Sequence, residues 1–168
     1  MFKSIKQNVK GILATTTIAL SMIGFSNANA GAFLNLPGIQ GDVSQPGYEG
    51  TIEINSMTSK FDSDNCGKFA LSKESDSASA PLIAAALKKI PFRAIKVSYV
   101  TMNTSQQIVP YMEFTLSGVQ VQSVDFNGSG ADNGSIPQEI VSLSAGAISI
   151  TYYDSITGNS YEESIFCQ

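Results

Sequence analysis

Three short segments of this sequence contain residue types that could do chemistry. DSDNCG (62–67) resembles the start of a calcium-binding loop, in which carboxylates at the first and third positions bind the ion. GDVSQPGYEG (41–50) is rich in glycine, as phosphate-binding loops are. Glutamates stand close together at 49 and 53 and at 162 and 163, and a pair of carboxylates can hydrolyse a glycosidic bond.

The calcium and phosphate interpretations both fail on spacing. A calcium loop needs a bidentate glutamate at its twelfth position, where this sequence has Lys73. Neither GxxxxGK[ST] nor GxGxxG occurs around Gly47, and a strand pattern follows it instead of a helix pattern. We therefore predict turns in both segments, with Pro46 and Gly47 reversing the chain in the second.

The sequence contains no histidine. Its absence removes Ser-His-Asp and Cys-His catalysis and the commonest zinc ligand. Proximity in sequence does not place the glutamate pairs in one cleft, and solvated strand faces account for them. We predict that the chain is not an enzyme, with no catalytic residue, no metal site and no cofactor.

Residues 1–30 have the composition of a secretory signal peptide. A lysine-containing start precedes an apolar run (11–25), and small residues lead up to Ala30. We expect cleavage between Ala30 and Gly31, which would leave one domain at 31–168. An uncleaved membrane anchor is the alternative, and it would need a run of roughly 20 apolar residues.

Charge disfavours nucleic acid as a partner. Three of the 10 basic residues lie in the leader, so the domain has seven basic against 14 acidic residues, a net charge of −7. Binding to a phosphate backbone requires clustered positive charge, which this domain lacks. An anionic membrane surface is disfavoured for the same reason, once the leader has been removed.

Cys66 and Cys167 are the only cysteines. An even number in an exported chain suggests a disulfide, because exported proteins meet an oxidising compartment. The bond would close a loop of about 100 residues and tie down the C-terminus. Two free, buried thiols are the alternative.

Most of the domain has the alternation of apolar and polar residues that is typical of half-buried strands. Gly118 interrupts the longest of these segments and predicts a bulge or bend there. A polar, glycine-rich segment at 127–137 predicts a loop. The predicted strands are 32–36, 51–57, 68–73, 94–101, 110–126, 140–153 and 160–167.

A single segment has helical spacing, at 79–89. Pro81 suits the first turn of a helix, Ser79 could cap it, and the lysines at 88 and 89 fall in its last turn. Many strands, one helix and no second domain predict a β-barrel or sandwich with an appended helix.

The order of these parts resembles the haemolysin-coregulated protein (Hcp) family, the tube subunits of bacterial type VI secretion. The resemblance covers about residues 32–166 and rests on shared order and spacing more than on one motif. The segments that carry it are LPGIQGD (36–42), GTIEINSM (50–57), DSASAPLIAAALKKIPFRAIKVSY (76–99), YMEFTLSGVQVQSVDFNGSG (111–130) and EIVSLSAGAISITYY (139–153).

The resemblance implies a β-barrel of two packed sheets with one flanking helix. It also implies homohexameric rings that stack into a tube, which the cell expels with effectors in its lumen. Members are not enzymes unless a toxin domain is fused at the C-terminus, and only a strand and Cys167-Gln168 follow the barrel here. The sequence departs from the family in its leader, and in having Tyr48 where many relatives have a histidine.

Two hypotheses about function follow. The first is a non-enzymatic, secreted subunit that assembles with itself, with a small effector or other secretion-machine proteins as further partners. The second is a stand-alone, exported Hcp-like binding protein or effector, acting in the periplasm or outside a bacterial cell. For the first, the candidate subunit interface consists of Gly41, Gln45, Gly47, Tyr48 and Phe61.

Overall fold

The structure is a computed structural model that describes residues 31–59, 61, 66–128, 136–154 and 156–167. The predicted leader at 1–30 and most of the predicted loop at 127–137 lie outside these residues. The described elements are β1 (Gly31–Asn35), β2 (Ile52–Ile54), β3 (Ser56–Ser59), β4 (Lys68–Glu74), α1 (Ser79–Lys88), β5 (Pro91–Met102), β6 (Ile108–Asn127), β7 (Gln138–Ser144), β8 (Ala147–Tyr153) and β9 (Ser160–Phe166).

The strands form one connected antiparallel sheet. Its hydrogen-bonded order is β2–β1–β5–β6–β7–β4–β3, and the strands at the two ends, β2 and β3, are separated in sequence only by Asn55. The Asn55 N–H donates to the Ser72 carbonyl at 2.7 Å, so the chain passes directly from one end of the sheet to the other and closes a barrel. The predicted class, mainly β with one short helix, is confirmed, although the strands form one connected sheet instead of two separate ones.

Two segments predicted as single strands each contain a corner. The predicted strand at 51–57 is divided at Asn55, because β2 pairs with β1 whereas β3 pairs with β4. The predicted strand at 140–153 is divided at Ala145 and Gly146, whose N–H groups donate to carbonyls outside β7 and β8. Alternation continues on both sides of each corner, but the inward positions change parity, from Ile54 to Met57 and from Leu143 to Ile148.

Gly118 lies at a bend in β6, as predicted. Its φ is 62°, in the left-handed region that glycine adopts without steric cost. The buried positions are Phe114 and Leu116 before the bend and Val119 and Val121 after it, so the alternation shifts by one residue. Before the bend β6 pairs with β8, and after it β6 pairs with β7.

Helix α1 covers the barrel with its buried Leu82 and Ala85 and begins differently from the prediction. Its N-cap is Ala78, so the prediction that Ser79 caps the helix is wrong. The Asp76 carboxylate accepts the Ala78 N–H at 2.9 Å, while the Ser79 hydroxyl accepts the Asp76 N–H at 3.0 Å. The spacing of Ser79 and Pro81 predicted a serine cap. The side chain that accepts the N–H of the N-cap residue Ala78 is instead that of Asp76, three residues before Ser79.

Candidate assembly surfaces

The 41–50 loop folds back on itself against the barrel. The Gly41 N–H donates to the Gly50 carbonyl at 3.0 Å, and the Gly50 N–H donates to the Val43 carbonyl at 2.8 Å. A Cβ on Gly41 would stand 2.5 Å from the Thr51 carbonyl oxygen and 2.8 Å from the Ile52 Cα. Gly41 is therefore required for close packing of the backbone. Gln45 and Gly47, which belong to the same candidate interface, lie at the tip of the loop.

The tip of this loop is a turn, as predicted. The Gln45 carbonyl accepts the Tyr48 N–H at 2.9 Å, and the Gly47 N–H donates to the Glu49 carboxylate at 2.9 Å. Gly47 has a φ of 86°, is exposed, and has open space around the position that a Cβ would occupy. Gln45 is half-buried, so the turn offers Pro46 and Gly47 as its most accessible part.

Tyr48 holds the loop against the wall of the barrel. Its ring stacks on Phe33 of β1, with 4.8 Å between the ring centroids and 29° between the planes. Burial, and then the negative charge of Glu113, raise the pKa of the Tyr48 hydroxyl. The position that departs from the family pattern therefore has an aromatic packing role in this chain.

Glu113 is the centre of a hydrogen-bonded group beside the loop. Its carboxylate accepts the Ser98 hydroxyl at 2.9 Å, the Tyr153 hydroxyl at 2.7 Å and the Lys96 ammonium at 3.3 Å. The hydrogen bond to Glu113, together with burial, raises the pKa of Tyr153 to about 12. Burial alone would raise the pKa of Glu113, but the bonds from Tyr153, Ser98 and Lys96 outweigh it and lower that pKa.

A cleft of about 380 Å³ separates the loop tip from this group, and Tyr48 and Glu113 both line it. Because the Glu113 carboxylate is ionised and already accepts three hydrogen bonds, it is better suited to fixing β5, β6 and β8 together than to proton transfer.

The last two sites from the sequence are Phe61 and the two cysteines. Phe61 is about half exposed and meets Phe69 edge-on, with 6.1 Å between the ring centroids. Cys66 and Cys167 form a disulfide with 5.3 Å between their Cα atoms. Asp62 and Asp64 of the calcium-like segment lie outside the described residues, and Cys66 and Gly67 form a turn.

Spacing motifs missed a buried ionic cluster between β4, β7 and the start of α1. Lys73 and Glu139 stand directly opposite each other in the sheet and are 1% and 0% exposed. The Lys73 ammonium lies 3.0 Å from the Glu139 carboxylate and 2.8 Å from that of Asp76. It also donates to the Glu74 carbonyl, and the Ser75 hydroxyl donates to Glu139 at 2.8 Å.

Within this cluster the Glu139 carboxylate stays ionised. Burial would raise its pKa, but hydrogen bonds from Ser79, Lys73 and Ser75 outweigh burial and lower it. Alternation could have located both charges, since Lys73 has the same parity as the buried Phe69 and Leu71. Because charged residues are usually assigned to the solvent side of a strand, a buried charge pair of this kind is easily missed.

Two apolar surfaces are uncovered. Strand β9 pairs with β8, and all seven of its residues are exposed. The β9 face, which we define as Tyr152, Tyr161 and Ile165, is 46%, 61% and 42% exposed. The α1 stripe, which we define as Ile83, Leu87 and Ile90, is 38%, 80% and 40% exposed. Exposed apolar patches of this kind are typical of protein–protein contacts.

Within the described ranges, no group of three or more His, Cys, Asp or Glu side chains could hold a metal ion. None of the helices in the same part of the chain is long and apolar enough to cross a membrane.

Solved structures share this fold. The chain is similar to Hcp1 from Salmonella typhimurium, with 18% identity over 82% of this chain and 94% of that one, and a TM-score of 0.73. It is similar to a type VI secretion system effector from Yersinia pestis, with 17% identity, coverage of 80% and 98%, and a TM-score of 0.68. Hcp1 from E. coli EAEC 042 is 23% identical, with coverage of 80% and 97% and a TM-score of 0.59.

A search of curated proteins found no match. A protein-family model, described as "Type VI secretion system effector, Hcp", matches residues 33–152. The match includes every element from β2 to β7, three of the five residues of β1 and six of the seven residues of β8. Since this match covers well over half of the chain, and the barrel with its single described helix has the fold of solved Hcp structures, the chain belongs to the Hcp family of type VI secretion proteins.

Proposed function

We propose that this chain is a non-enzymatic, secreted subunit that assembles with copies of itself into a ring, with six subunits as the family resemblance implies. The observation that carries the proposal is the family match over residues 33–152. A closed ring requires two different surfaces on each subunit, so that each copy presents one surface to the next. The 41–50 loop and Phe61 are the proposed contacts that the sequence suggested.

Exposed apolar residues support self-association. An edge strand such as β9, with aromatic and aliphatic side chains in solvent, favours pairing with another protein surface. In the loop, the Gly47 tip is the accessible part, while Tyr48 is stacked on the barrel and Gly41 is packed under Thr51. Gly47 is therefore the stronger candidate within this loop.

We propose further that residues 1–30 are removed by cleavage between Ala30 and Gly31, so that the domain acts in the periplasm or outside the cell. The composition of residues 1–30, with a lysine-containing start, an apolar run and small residues up to Ala30, supports this cleavage. The disulfide is compatible with an oxidising compartment.

A stand-alone exported binding protein is the second candidate. The observation that favours it is the disulfide between Cys66 and Cys167 together with the signal-like leader, because both point to general export. In that case the cleft beside Tyr48 and Glu113 is one concave surface available to a partner.

The test is the native mass of the protein collected outside the cytoplasm, together with its N-terminal sequence. We expect a mass of six subunits and a first residue of Gly31. A monomer at high concentration would overturn ring assembly and leave the second candidate. A cytoplasmic protein that still begins with Met1 would overturn export for both candidates.

A further inference from the structure

The β9 face extends beyond the part of the sheet that the barrel covers. Residues directly opposite each other in antiparallel strands share one face of the sheet. Ile148 is opposite Ile165, and Tyr152 is opposite Tyr161. Ile148 is 1% exposed and belongs to the core, whereas the three other side chains are uncovered. This face is therefore half occupied by the protein itself and half open, and Glu163, opposite Ile150, adds one carboxylate to the open half.

Helix α1 has a second apolar side that the barrel does not use. Leu82 and Ala85 are buried against the sheet, while Ile83 and Leu87, four residues apart, lie together on another side of the helix. Ile90 continues this stripe just beyond the helix. A stripe of branched aliphatic residues at helical spacing is what a helix normally buries against a partner surface.

The charges beside the two surfaces are of opposite sign. Lys88 and Lys89 follow Leu87 and are exposed. Glu163 lies on the β9 face between Tyr161 and Ile165, whereas Glu162 points to the opposite face of the sheet and accepts the Ser149 hydroxyl at 2.6 Å. The domain as a whole is acidic, so two copies repel each other unless basic residues stand at their contact. Lys88 and Lys89 supply positive charge at the end of the stripe.

We infer that the α1 stripe of one copy packs on the β9 face of the next copy, with Lys88 and Lys89 beside Glu163. The inference rests on the proposed self-assembly and names the surfaces that meet. Aromatic and aliphatic side chains are the usual centre of a protein–protein interface, and complementary charges such as Lys88 and Glu163 fix which surfaces meet.

A second copy fits these surfaces better than an unrelated partner does. The stripe and the face are different, and one chain carries both, so each copy can offer one to each of two neighbours. Such a head-to-tail contact closes into a ring when the rotation allows it. A ten-residue helix, about 15 Å long, fits within the length of a seven-residue strand, about 23 Å.

The experiment compares Leu87→Asp with Phe166→Asp. Both side chains are 80% exposed in the described structure, so neither change removes a core contact. Phe166 adjoins Ile165 in β9 but points to the opposite face of the sheet, which makes it a matched control. We expect Leu87→Asp to raise the protein concentration at half-assembly about tenfold or more, and Phe166→Asp to leave it unchanged.

A charge exchange tests the pairing itself. Lys88→Glu and Glu163→Lys should each weaken assembly, and the double variant should recover most of the loss because opposite charges again face each other. Native mass measured over a range of protein concentrations gives the readout, and circular dichroism confirms that each variant is folded.

The outcomes separate the two proposals. A wild-type protein that is monomeric at every concentration overturns self-assembly, and this contact with it. A wild-type protein that assembles, while Leu87→Asp behaves like Phe166→Asp, overturns this contact alone. If the double charge variant does not recover assembly, the proposed charge pairing is overturned as well.

Discussion

Lys73 and Glu139 place a pair of full charges inside an apolar barrel, where each is costly without the other. Their ion pair continues to Asp76, whose carboxylate also accepts the Ala78 N–H at the start of α1. The cluster thus connects β4 and β7 to the helix. A buried ion pair adds little net stability compared with apolar residues, but removing one partner leaves an uncompensated charge.

We expect Lys73→Met to lower the free energy of unfolding by about 3–5 kcal/mol, because Glu139 would remain buried without its cation. Lys96→Met is the matched control, since its ion pair with Glu113 is half exposed and should contribute about 1 kcal/mol or less. Urea unfolding of both variants gives the measurement. Equal losses would contradict the account of the buried cluster.

At this scale the sequence predicts side-chain direction better than side-chain partners. Alternation places Lys73 on the same face as Leu71, and the structure agrees. Local turn chemistry correctly predicts the turn at Gly47. The contacts of Tyr48 with Phe33, and of Tyr153 with Glu113, join residues on different elements, so no local spacing specifies them.

Strand β9 is held to the domain by its pairing with β8 and by bonds of the cysteine that follows it. It pairs with β8 along its whole length, and Cys167 immediately after it is bonded to Cys66. The Cys167 N–H also donates to the Gly146 carbonyl at 2.9 Å. Because no β9 side chain is buried, apolar packing contributes little, and the disulfide constrains an otherwise exposed strand.

Replacing both cysteines with serine should therefore act mainly on β9. We expect a loss of at most about 4–5 kcal/mol in the free energy of unfolding, since the bond closes a loop of 101 residues. Hydrogen exchange should speed up at β9 amides and stay slow in β5 and the first half of β6. Wild-type protein treated with a reductant is the control and should behave alike. Full protection of β9 without the bond would mean that pairing with β8 is sufficient.

Helices and strands are predictable here because their apolar residues repeat with clearly different periods, 3.6 residues in a helix and two in a strand. The helix predicted at 79–89, for example, corresponds to α1 at Ser79–Lys88. Alternation marks the corner at Asn55 only as a change of parity, from Ile52 and Ile54 to Met57. It does not say that the chain pairs with β1 before the corner and with β4 after it. The decisive interaction there is a hydrogen bond to Ser72 in another strand.

At the scale of the whole molecule, strand order is what makes the barrel. The closure of β2 on β3 and the position of β8 and β9 outside the main path depend on pairings between distant segments. Local pattern favours a barrel or sandwich but does not choose between orders. The family resemblance supplied the barrel, because the order and spacing of all segments together carry information that no single segment has.

The 41–50 loop offers a test of assembly at this same scale. Gly47 and Gly38 both have a φ of 86°, both are exposed, and neither has an atom within 4 Å of the position of an added Cβ. A lysine at either position should thus cost a similar amount of folding free energy, about 1–2 kcal/mol, from the left-handed backbone alone.

Only Gly47 belongs to the proposed subunit contact, so Gly47→Lys should lower the native mass at a concentration where Gly38→Lys still assembles. Sedimentation gives the mass, and thermal unfolding checks that the two variants have lost similar stability. If both variants assemble like the wild type, the loop turns the chain and does not touch a neighbouring copy. If Gly47→Lys unfolds the barrel while Gly38→Lys does not, the loop is a structural element of the monomer.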